Sequence, residues 1–139
     1  MMVKVHWYPL NEFGNDERWH FWKCLYAYLC PSEKEIFYIG KADKASIRQR
    51  WKCKGKQTLW DYLDKERRIF EHIVTIGIPQ YENGKRFSPQ LLSDVESLLI
   101  ACEQPKGNIQ SKRSRISRPG LEVKCRGYWI GGSRHYVDV

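Results

Sequence analysis

Alternation of side chains predicts the first elements. Over residues 23–30, Leu25, Ala27 and Leu29 supply one apolar face and Tyr26 and Tyr28 the other, the period-two pattern of a strand. The polar residues 31–35 predict a turn. Ile36-Phe37-Tyr38-Ile39-Gly40 then predicts a second strand, and the two together an antiparallel hairpin. On that alternation Tyr26 and Tyr38 lie opposite Leu25/Leu29 and Phe37/Ile39, so the hairpin brings both phenols to one surface. A short helix is expected over residues 44–54, with Ile47 and Trp51 on its buried stripe and Gly55 as its stop, and a second helical piece over residues 58–68. Residues 70–78 alternate as a third strand, closed by Pro79.

The best-marked helix begins at Ser88, an N-cap followed by Pro89 at the first helical position. Leu91, Leu92, Val95, Leu98, Leu99 and Cys102 form its apolar stripe, and Pro105 ends it. Residues 1–21 are rich in aromatics but show no clear period, which suggests a strap over one side of the domain. A short C-terminal hairpin is expected, residues 121–130 turning at Gly131-Gly132 into residues 135–139. The element order predicts an α+β fold: a small three-stranded antiparallel sheet flanked by helices, with a basic C-terminal extension.

The 139 residues suit a single domain, residues 1–139. The chain carries 24 Lys and Arg against 16 Asp and Glu, a net charge of +8. Residues 104–139 alone hold eight basic and two acidic side chains, so most of the excess lies in the last quarter. Such a concentration favours a polyanion partner, chiefly nucleic acid, over the plainer role of a solubilising tail only when chemistry elsewhere supports it. No run approaches a membrane span and the first residues lack the apolar core of a secretion signal, so a cytoplasmic protein without membrane contact is expected. The five cysteines (Cys24, Cys30, Cys53, Cys102 and Cys125) are odd in number, with no C-x-x-C pair and no zinc spacing, and are expected to be reduced. His6 and His20 have no carboxylate or Cys at metal spacing and are taken as ordinary packing or surface residues.

Leu25-Tyr26 followed by Tyr38-Ile39-Gly40-Lys41 resembles the paired tyrosine signature of the GIY-YIG nuclease superfamily. Downstream residues continue the resemblance in order. Ile47-Arg48-Gln49-Arg50 is similar to the apolar-x-x-Arg step of that family, with Arg50 in the position of its catalytic arginine. Asp94-Val95-Glu96-Ser97-Leu98-Leu99-Ile100 is similar to the helix carrying its metal-binding glutamate, and Pro105-Lys106-Gly107-Asn108 to its proline–asparagine turn. The resemblance covers residues 22–110, which would be the nuclease core, with residues 111–139 the basic extension. Two positions depart from it: Cys24 stands where the family has Gly, and Lys54 where many members have His or Tyr one turn after the arginine.

The resemblance implies a metal-dependent DNA endonuclease. Phosphodiester hydrolysis needs a deprotonated water, neutralisation of the phosphate and stabilisation of the leaving oxygen. Glu96 would hold Mg²⁺ (or Mn²⁺), a hard cation that keeps several waters. Tyr26 would be the general base, Tyr38 would position water or phosphate, and Arg50 would bind the scissile phosphate through its planar fork. Lys41 would serve the same phosphate and favour the tyrosinate, and Asn108 would fix the loop or bond to the site. Arg48, Lys54, Lys112, Arg113, Arg115 and Arg118 would contact flanking backbone. Two other readings use the same residues: a nucleic-acid-binding module that does not cleave, and a nuclease directed by a separate targeting protein or a second copy of the chain.

Overall fold

The computed structural model describes residues 2–10, 16–30, 34–51, 73–81, 88–105, 107–108 and 120–137. Six strands form one mixed sheet: β1 (Met2–Pro9), β2 (Cys24–Cys30), β3 (Glu35–Ala42), β4 (Ile73–Tyr81), β5 (Glu122–Gly127) and β6 (Ser133–Val137). Their spatial order is β3-β2-β4-β1-β5-β6, curled into a half-barrel. Among the described residues a 3-10 turn spans Glu17–His20. Helix α1 spans Ile47–Trp51 and α2 spans Pro89–Glu103, the one substantial helix among the described residues.

This overturns the expected three-stranded sheet flanked by helices. The three foreseen strands form one end of the sheet, as β3-β2-β4 with antiparallel pairing throughout. The sheet continues because Val3, Val5 and Trp7 alternate inward while Lys4, His6 and Tyr8 face the other way, so the N-terminal segment is a strand. It pairs antiparallel with β4 and parallel with β5, and the C-terminal hairpin closes the other end. Strand β4 also runs through Pro79 rather than stopping there. β2 pairs with it only as far as Gly77, so Pro79 lies where β4 has β1 alone beside it, an edge where a missing N–H is tolerated.

The two faces of the sheet are covered differently. Leu25, Ala27, Leu29, Ile36, Ile39, Val5, Trp7, Val123 and Cys125 pack against Leu91, Leu92, Val95, Leu98 and Leu99 of α2. The Ser88 hydroxyl caps α2 by accepting from the Leu91 N–H at 3.3 Å, and Gln104 ends the helix in the left-handed region at φ 49°. Cys102, expected on the buried stripe, is exposed, and Ile100 is buried in its place. Cys24, Cys30 and Cys125 are buried thiols outside any disulfide among the described residues. The opposite face carries Tyr26, Ile76 and Ala42 and is covered by Trp19, Leu10 and Ile47. The expected strap is therefore real in part: Trp19 covers this face, tied down by Arg18, which pairs with Asp16 at 2.6 Å and donates to the Pro9 carbonyl at 2.8 Å. No helix among the described residues is long and apolar enough to cross a membrane.

Burial makes the fold sensitive to alkali. Desolvation pushes Cys24, Cys125 and Tyr81 up to about 12 and raises Tyr26 and Tyr136 further. Unfolded, these groups ionise near ~8.5 for Cys and ~10 for Tyr. With folded values raised, the stability they contribute is complete below the unfolded values and is lost as pH climbs toward the folded ones. Urea midpoints are expected to hold up to about pH 8 and fall steadily above about pH 9, the sign this linkage requires.

Candidate active site

The hairpin of β2 and β3 sets the two tyrosines. Tyr26 lies directly opposite Gly40, and Tyr28 opposite Tyr38, which places Tyr26 and Tyr38 diagonally on one face. Their ring centroids are 5.9 Å apart at 34°. Gly40 is required by this packing, since a Cβ there would stand 2.6 Å from Tyr26 Cζ, 2.7 Å from its hydroxyl oxygen and 2.8 Å from Tyr38 Cε1. A bulge beside Tyr28 gives β3 one extra residue, Phe37, which packs with Tyr28, Cys30 and Tyr38. Phe37 is thus on the tyrosine side, not opposite Tyr38 as simple alternation requires.

Helix α1 supplies the arginines. Its start is fixed by a reciprocal cap: the Ser46 N–H donates to Gln49 Oε1 at 2.9 Å and the Gln49 N–H to the Ser46 hydroxyl at 3.2 Å. Ile47, fully buried, points into the face that holds Tyr26, while Arg48 and Arg50 are exposed. From α2, Ser93 and Glu96 stand three residues apart and so share a side. Lys41 Nζ donates to the Ser93 hydroxyl, which binds the end of the second motif to that helix.

Tyr38, Arg50 and Glu96 all act on Tyr26. Burial raises the Tyr26 phenol most. The charge of Tyr38 and a hydrogen bond with it add to the rise, Arg50 opposes it and Glu96 reinforces it. Residues from β3, α1 and α2 thus all bear on the Tyr26 phenol. Beside them an open cleft of about 360 Å³ is lined by Lys41, Asp43, Lys44, Ala45 and Arg50. Three cations and one carboxylate make it suitable for an anion. Ser93, Asp43 and Lys44 were not among the expected residues; only the position of Ser93 one turn before Glu96 could have marked it.

Asn108 does not line the cleft. It is buried and holds the edge of β3 from outside: its Oδ1 accepts from the Ile39 N–H at 2.9 Å and its Nδ2 donates to the Ile39 carbonyl at 2.7 Å. The neighbouring Gly107 N–H donates to the Phe37 carbonyl at 2.8 Å. Asn108 thus satisfies both backbone groups of the residue between Tyr38 and Gly40, and its part in the site is positioning. Lys54, Lys112, Arg113, Arg115 and Arg118 lie outside the described residues, as does the helical piece expected over residues 58–68.

The tyrosine face continues across the sheet. Tyr26 faces Ile76, and Ile76 faces Tyr8, beyond which the same side carries His6 beside Arg126 and Lys4 beside Lys124. Lys4 and Lys124, like charges set opposite each other on neighbouring strands, are unfavourable alone and gain from an anionic partner.

Comparison with protein-family models, characterised proteins and solved structures finds no match for the chain.

Proposed function

We propose that the protein is a metal-dependent endonuclease acting on DNA phosphodiester bonds. The observation that supports this reading is the paired Tyr26 and Tyr38 rings near a cationic cleft lined by Lys41, Lys44 and Arg50, with Arg50 and Glu96 both bearing on Tyr26. Arg50 and Lys41 would hold the scissile phosphate in the cleft, Arg50 through its fork and Lys41 as a charge oriented by Ser93. Tyr38, half-buried at the rim, would orient the attacking water, and Tyr26, as the tyrosinate, would accept its proton through the bond the two phenols share, becoming the neutral phenol. Among the described residues no three His, Cys, Asp or Glu side chains gather into a cage. The donor set at Glu96 thus suits Mg²⁺ or Mn²⁺, which takes most of its ligands from water and phosphate. Such a cation would neutralise the carboxylate and stabilise the leaving oxygen.

The upward shift of Tyr26 favours a second reading, a module on this scaffold that binds nucleic acid without cutting it. Nicking of supercoiled plasmid separates them. The wild type is expected to nick with Mg²⁺ or Mn²⁺ and to stop on chelation, and Tyr26→Phe is expected to lose most of the rate. Binding with no metal-dependent nicking selects the second reading. Equal nicking by wild type and Tyr26→Phe removes Tyr26 from the base role.

A further inference from the structure

The segment of residues 21–23 runs beside the cleft and exposes two aromatic rings. Trp22 is 55% exposed and Phe21 43%, the two most exposed large apolar side chains among the described residues. Their backbone is held at both ends against the loop that lines the cleft. The Lys23 N–H donates to the Ala42 carbonyl, and the Phe21 carbonyl accepts from the Ile47 N–H at 3.1 Å. Residues 43–45 of the cleft wall lie between those two anchor points, so the aromatic segment flanks the wall along its length. The segment is also fixed from behind, because Trp19 is buried and Arg18 is tied to Asp16 and Pro9. Lys23 takes φ 62°, a left-handed backbone uncommon for lysine, and its Nζ stands 4.6 Å from the Trp22 ring centroid.

Exposed indole and phenyl rings are costly unless something covers them, and charge identifies what would. Lys23 stands over the Trp22 ring, and Lys44 and Arg50 line the cleft beside the segment, so the region carries a cationic excess. A protein partner's apolar surface gains nothing from that excess, whereas a nucleic-acid strand presents phosphates to the cations and base faces to the rings. Bases inside a duplex are stacked on one another and cannot reach a side chain beside the backbone. We infer that Phe21 and Trp22 form a stacking platform for an unpaired DNA strand adjoining the cleft, so that the substrate is DNA with a single-stranded segment next to the bond held at Arg50. The inference rests on the nuclease reading for the position of the scissile bond; the binding it describes does not require cleavage.

The test is equilibrium binding in chelator, where no cutting occurs, to a blunt duplex and to the same duplex bearing a single-stranded tail of about ten nucleotides. The wild type is expected to prefer the tailed DNA by about tenfold, and Trp22→Ala to lose about that factor on the tailed DNA and less than about twofold on the blunt one. Trp22→Phe, which keeps a ring, is expected to restore most of the preference. Equal loss on both DNAs, no tail preference in the wild type, or tighter binding of an RNA tail overturns the proposal. Self-association abolished by Trp22→Ala, without tail preference, also overturns it and marks a protein-contact surface. Tail-selective binding lost with Trp22 supports the platform whether or not the DNA is cut, and absence of metal-dependent cutting of both the plasmid and the tailed DNA counts against the nuclease reading alone.

Discussion

Glu96→Gln and Arg50→Ala are each expected to lower the metal-dependent nicking rate by at least about 10²-fold while leaving the protein folded. The first keeps the shape of a half-buried side chain at the edge of α2 and removes only its charge. The second truncates an exposed residue of α1, so neither touches the packing of either sheet face. The two should differ in how salt and metal act on them. Loss of Arg50 removes a phosphate contact and is expected to reduce the salt dependence of binding by about one unit of log–log slope. Loss of Glu96 is expected to raise the metal concentration needed for half-maximal rate. Nicking rates against metal concentration, with filter binding against salt, check both. Unchanged metal dependence in Glu96→Gln would remove it from the metal site.

Local signals made the helix and the hairpin legible, and long-range pairing hid the rest. Ser88, Pro89 and Pro105 bracket α2 within a residue or two because caps act on adjacent backbone. The alternation of residues 23–30 sorted Tyr26 from Leu25 correctly for the same local reason. β1 carries its own alternation at Val3, Val5 and Trp7, but three inward residues among so many aromatics make a short signal. Nothing local indicates that Met2 will lie beside Glu122 in a parallel pair. The bulge that turns Phe37 toward the tyrosines belongs to the pairing with β2 and is invisible in β3 alone. At the site the tyrosines, Arg50 and Glu96 could be named from motif spacing. The contacts that position them, Lys41 to Ser93 and Asn108 to Ile39, cross 52 and 69 residues and required the fold. The aromatic segment at Phe21 and Trp22 needed it too, since only the bonds to Ala42 and Ile47 place it at the cleft.

Asn108→Ala is expected to be the most damaging single truncation for stability. Ile39 is fully buried on the outer strand of the sheet, and its N–H and carbonyl both find their partner in this one side chain. Removing the amide leaves a buried donor and a buried acceptor unpaired at a cost of roughly 1–3 kcal/mol each, so about 2–6 kcal/mol in total. At roughly 4 °C per kcal/mol for a domain of this size, the melting temperature should fall by about 8–24 °C. Asn108→Asp separates the two bonds: its oxygens still accept from the Ile39 N–H, but facing the carbonyl they repel, so it should recover little. The effect should also reach the site. Tyr38 and Gly40 flank Ile39, and Gly40 packs against the Tyr26 ring so closely that no Cβ fits between them. At temperatures where Asn108→Ala is still folded, its nicking rate is expected to fall while its affinity for DNA stays within about twofold of wild type, because the cationic cleft is built from other residues. Calorimetry, nicking and binding on the same preparation measure the three quantities, and a stable variant with full activity would show that the β3 edge does not depend on Asn108.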